Sequence, residues 1–126
     1  MDRERARLIR ADEAVIPAAP TPGMVRRELY DDGSVWIGRV QTEPGISSGW
    51  HYHGDRTTYI FVLEGRIRID FGPGGRESVE GGPGDLIINP ARMVHRETTP
   101  SEAVDGVVIR IGSGPQNVNV EGPDPD

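Results

Sequence analysis

The chain contains three histidines, and two of them, His51 and His53, stand two residues apart. On an extended strand that spacing projects both imidazoles from one face. His95 lies in a later segment, in a loop-to-strand transition after Gly84 and Pro90. Neutral imidazoles converging from different segments make a site for a divalent metal, and imidazole suits Fe, Zn, Ni and Cu. Covalent chemistry is poorly provided for. There is no Cys, which excludes disulfides, thiolate metal sites, iron–sulfur clusters and thiol nucleophiles. All 14 basic residues are Arg, so a lysine Schiff base or phosphate-loop lysine is excluded as well. Acid–base work is left to groups such as Glu97, a tyrosine or metal-bound water.

The surroundings of the histidines carry more information than the histidines alone. Gly45, five residues, His51-Tyr52-His53, four residues, Thr58, six residues and Gly65 form one pattern. Gly84, five residues, Pro90-Ala91-Arg92, two residues, His95, three residues and Thr99 form a second. Together they resemble the first and second motifs of the small single-domain cupins. In that family the first motif reads Gly, His-x-His, Glu, Gly, and the second reads Gly, Pro-x-Gly, His, Asn. The chain departs from the family at three positions: Thr58 replaces the metal-binding Glu, Arg92 a Gly, and Thr99 the Asn.

The resemblance implies an all-β double-stranded β-helix, or jelly-roll barrel. It also implies one divalent metal ion (Fe, Zn, Mn or Ni) held by His51, His53 and His95. A threonine hydroxyl stays protonated and ligates weakly, so the three-histidine site would keep the full metal charge. Three-histidine iron centres in cupins resemble those of thiol and diketone dioxygenases. The function expected is therefore a metal-dependent oxygenase acting on a small anionic chelating molecule. The alternatives are a non-catalytic binding or sensing cupin, a metal-dependent isomerase or lyase, and a cupin whose histidines line an empty pocket. Glu97, two residues past His95, shares its face on a regular strand, and Asp55 lies nearby in a loop. Each is a candidate fourth ligand with a solvated carboxylate as the alternative. Glu97 and Thr58 are the candidate catalytic residues. Ile60, Val62, Ile67 and Ile69 are expected to line the substrate pocket, with Arg92 at the barrel entrance, where its planar fork suits a carboxylate.

The elements needed to hold this site are legible in the composition. Of 126 residues, 17 are Gly and 11 are Pro, and with so many β-branched residues this argues for short strands and tight turns. Strands are expected over 25–30, 34–42, 58–63, 67–71, 85–89, 94–98 and 104–111. Residues 117–120 read as a short edge strand open to exchange with a partner subunit. Residues 1–24 read as an arm with a Pro-rich linker, 25–112 as the barrel and 113–126 as a tail. The run from Thr58 to Leu63 is apolar on both faces, so its outer face is expected to pack against a second copy, giving a homodimer. A net charge of −6 argues against broad binding to nucleic acid or anionic membrane. No apolar run approaches a membrane span, and the first ten residues lack an apolar signal core, so a cytoplasmic location is expected.

Overall fold

Asp32 shows how the local sequence shapes the chain. Its Oδ1 accepts hydrogen bonds from the Ser34 and Val35 amides at 2.9 and 2.8 Å, and Gly33 takes φ +91°. The resulting turn joins the first two strands into a hairpin. The computed structural model describes residues 5–16, 21–99 and 101–125. Its strands are β1 (Met24–Asp31), β2 (Val35–Thr42), β3 (Ile46–Ser47), β4 (His51–Tyr52), β5 (Thr57–Glu64) and β6 (Ile67–Phe71), followed by β7 (Glu77–Gly81), β8 (Leu86–Asn89), β9 (Arg96–Thr99), β10 (Val104–Ile111) and β11 (Val118–Asn119).

These strands form an antiparallel five-stranded sheet in the order β1-β2-β10-β5-β8 and a four-stranded sheet in the order β3-β9-β6-β7. The pair β11-β4 forms a small third sheet. The architecture is the jelly roll. Alternation sets the core: Ile60 and Val62 of β5, Val104 and Val108 of β10, Ile67 and Ile69 of β6, Trp36 of β2 and Ile87 of β8 are all buried in one cluster. Burying a side chain of this size contributes about 1.5–3 kcal/mol. Gly65 turns β5 into β6 at φ +80°, with the Ala103 carbonyl where a Cβ would stand. No helix among the described residues is long and apolar enough to cross a membrane.

One expectation needs correction. Residues 77–81 form a strand that alternation does not reveal, because four of its five residues are exposed and only one of those is apolar. Strand β11, the expected short edge strand, lies antiparallel to β4 of its own chain, with Val118 opposite Tyr52 and Asn119 opposite His51. In the expected arm, residues 11–13 make a 3-10 turn and Val15 bridges to Glu28. Residues 1–4 of the arm and 17–20 of the linker lie outside the described residues, as do Pro100 and Asp126.

Candidate metal centre

His51 and His95 face one another across a two-bond backbone bridge, His51 N–H to His95 O at 3.0 Å and His95 N–H to His51 O at 2.9 Å. That bridge ties the His51–His53 segment to the start of β9 and brings three imidazoles together. Their ring centroids lie 4.4 to 5.0 Å apart. All three are buried, His95 to 1% exposure.

Each ring is oriented the same way. The Nδ1 atoms of His51, His53 and His95 donate to the carbonyls of Gly49 (2.8 Å), Gln116 (2.7 Å) and Met93 (3.0 Å). A carbonyl only accepts, so Nδ1 carries a proton in every ring, and Nε2 is the atom that a neutral imidazole offers to a metal. This is the outer support typical of ligating histidines. The Nε2 atoms of His53 and His95 are buried without a hydrogen-bond partner. Those orphaned acceptors fit a divalent metal.

Glu97 completes the cluster. On β9 it shares the face of His95, and its Oε1 lies 3.6 Å from His95 Nε2 and 3.9 Å from His51 Nε2. Ligand atoms of His51, His53, His95 and Glu97 all lie within 4.8 Å of one another. Thr58 brings no carboxylate to the cluster; the acid beside the imidazoles is Glu97 of β9, one of the two candidate fourth ligands, and Asp55 is not in the group. Burial lowers the His51 and His53 pKa values, with the Arg110 charge adding to the effect at His53, which is pushed down to about 3. Both rings are therefore neutral, as metal ligation requires. Burial opposes ionisation of Glu97, but the His95, His51 and His53 imidazoles that face its carboxyl outweigh it and hold its pKa below the ordinary range.

A cavity opens beside the cluster, lined on its polar side by Arg26, His53, Thr58, Glu97 and Arg110, and on its apolar side by residues that include Ile60 and Ile67. Val62 and Ile69, expected with them, are fully buried in the core and do not line it. Arg92 is not at the cavity either. Its side chain is 70% exposed and paired with Asp55, which draws both residues away from the cluster. Arg92 sits at φ +65°, the left-handed conformation for which the family's glycine is suited. Thr99 donates its hydroxyl to the Glu43 carbonyl at 2.7 Å and accepts from the Ile46 amide at 3.2 Å, fastening β3 to β9.

Sequence reasoning missed Arg110. It is 8% exposed, with its guanidinium 4.9 Å from the Trp36 ring and Nη1 donating to the Gln116 side chain at 3.3 Å. Burial pushes its pKa down to about 10, against the opposing charge of Glu97, so it remains a cation at neutral pH. The signal was present in β10, where the inward positions Val104, Gly106 and Val108 make residue 110 the next one facing in.

Comparison with known proteins places this geometry. Residues 38–112 match the cupin domain family model, and the chain belongs to that family. It is 31% identical over 91 residues to germin-like protein subfamily 2 member 3 of Arabidopsis thaliana, covering 71% of this chain and 42% of that protein. The chain thus spans less than half the length of that curated relative. Among solved structures it is similar in fold to the polyketide cyclase RemF of Streptomyces resistomycificus (TM-score 0.73, 22% identity, 92% of this chain and 86% of that one). It is also similar to the Bacillus subtilis oxalate decarboxylase with Mn(II) centres (TM-score 0.67, 17% identity, 80% and 29%).

Proposed function

We propose that this cupin domain is a metalloenzyme that binds a small chelating anion at one divalent metal held by His51, His53, His95 and Glu97. The observation that carries this reading is the convergence of four ligand atoms within 4.8 Å, with every imidazole fixed by a carbonyl at Nδ1. When bound, the metal supplies a Lewis acid that polarises a chelating oxygen of the substrate. Four protein ligands leave coordination positions for that substrate, as catalytic sites require.

The chain's own residues do the rest. Glu97 cancels one unit of the metal's charge, which removes the main reason to expect the three-histidine oxygenase chemistry. Ile60 and Ile67 exclude water from one side, and Arg26 and Arg110 favour an anion on the other. Lewis-acid chemistry of the isomerase or lyase kind is the function this donor set supports best. Among the candidate metals Fe, Zn, Mn and Ni, manganese is favoured by the Mn(II) centres of the structurally similar oxalate decarboxylase.

Elemental analysis and metal titration of the purified protein test the reading. One divalent ion per chain is expected, lost in His53→Ala and His95→Ala. A chain that takes up no metal in the presence of Mn, Fe, Zn or Ni contradicts it. Native iron together with substrate-dependent oxygen uptake would instead select the oxygenase chemistry.

A further inference from the structure

Strand register sets a row of polar side chains across the inner face of the five-stranded sheet. Arg110 of β10 lies opposite Trp36 of β2 on one side and Thr58 of β5 on the other, and Thr58 in turn lies opposite Asn89 of β8. Inward positions of an apolar barrel are costly places for such groups. Thr58 is 1% exposed, yet its Oγ1 has no partner, and neither does Arg110 Nε. Arg110 makes no ion pair among the described residues. Both side chains line the cavity that His53 and Glu97 also line.

The two unused groups fit one kind of ligand. Directly opposed residues on neighbouring strands hold their Cβ atoms roughly 4.5–5.5 Å apart, so a donor from each reaches the two oxygens of one carboxylate. The cavity gives the centre of a water-sized group about 30 Å³. One water needs roughly 10–15 Å³ by that measure, so the space holds two or three such groups, the size of a carboxylate. Its charge agrees: Arg26 and Arg110 outnumber Glu97 before any metal is counted. Gln116 ties the subsite to the metal centre, because its carbonyl accepts from His53 Nδ1 and its side chain accepts from Arg110 Nη1.

We propose that Arg110 Nε and Thr58 Oγ1 form a carboxylate-binding subsite beside the metal centre, and that the substrate is a small carboxylic acid carrying a second oxygen donor. Hydroxy acids, keto acids and dicarboxylates have that shape. The second donor rests on the metal reading above, whereas the carboxylate contact does not.

Calorimetric titration with malonate and lactate, and with malonamide and lactamide as neutral counterparts, tests the subsite on Mn-loaded and metal-free protein. At least one acid is expected to bind, with its amide weaker by about tenfold or more. Arg110→Met is expected to weaken the acid on the order of thirtyfold, and the near-isosteric Thr58→Val about fivefold. Manganese affinity, read by chelator competition, stays within about threefold in both variants, because neither side chain belongs to the ligand set. If Arg110→Met fails to fold, Thr58→Val carries the test. Binding of neither acid, equal binding of acid and amide, or unchanged acid affinity in the folded variants overturns the proposal. Protein that takes up no manganese but binds the acid through Arg110 keeps the subsite and removes the metal centre. Protein that takes up manganese but binds acids without regard to Arg110 does the reverse.

Discussion

Glu97 and Arg92 show how a motif position and its chemistry can separate. Parity made Glu97 legible, since two residues past His95 on a strand is the same face, but only the fold shows that its carboxylate reaches the Nε2 atoms of His95 and His51. Glu97→Gln keeps the volume and removes the charge, so manganese affinity is expected to fall about 10–100-fold, measured by chelator competition. Arg92 looked chemical because of its fork, but its exposed side chain is spent on Asp55. Arg92→Gly gives up a surface ion pair and gains a residue suited to φ +65°, so metal affinity should stay within about twofold of the parent. A loss like that of Glu97→Gln would put Arg92 back at the site. Arg110 escaped notice because an arginine near a strand end reads as a solvated charge; alternation along β10 is what turns it inward.

At the scale of elements, long strands with alternating β-branched residues were readable and the short ones were not. Strands β3 and β4 are two residues each, fixed by their partners β9 and β11 and not by their own pattern. The tail carrying β11 matters for the same reason: Gln116 O holds His53, and the Val120 amide donates to the Trp50 carbonyl. Ending the chain after Gly114 removes the acceptor of His53 Nδ1, and manganese affinity is expected to drop about 10–100-fold. Unchanged affinity would mean that the tail does not orient the ring. In β2, Gly38 leaves room for the Trp36 ring, and a Cβ there would also meet the Arg27 carbonyl at 2.8 Å. Gly38→Ala should therefore cost about 1–3 kcal/mol in thermal or chemical unfolding. It should also weaken acid binding, because Trp36 supports Arg110.

At the scale of the whole molecule, one sheet face stays uncovered by the described residues. Phe61 and Leu63 of β5 and Leu86 and Ile88 of β8 are 38–54% exposed, side by side at the sheet edge. A contiguous apolar face without a charged side chain in that cluster suits a second copy of the same face, and we propose a homodimer built there. Light scattering is expected to give twice the chain mass, and Phe61→Glu with Leu86→Glu half of that; a parent chain that is monomeric at every concentration contradicts it. The remaining claim concerns the centre of the barrel, and anomalous diffraction from manganese-loaded crystals addresses it most directly. One peak per chain is predicted, within bonding distance of the Nε2 atoms of His51, His53 and His95 and of a Glu97 carboxylate oxygen. A peak bound elsewhere, or imidazoles that point away from a common ion, would contradict the account.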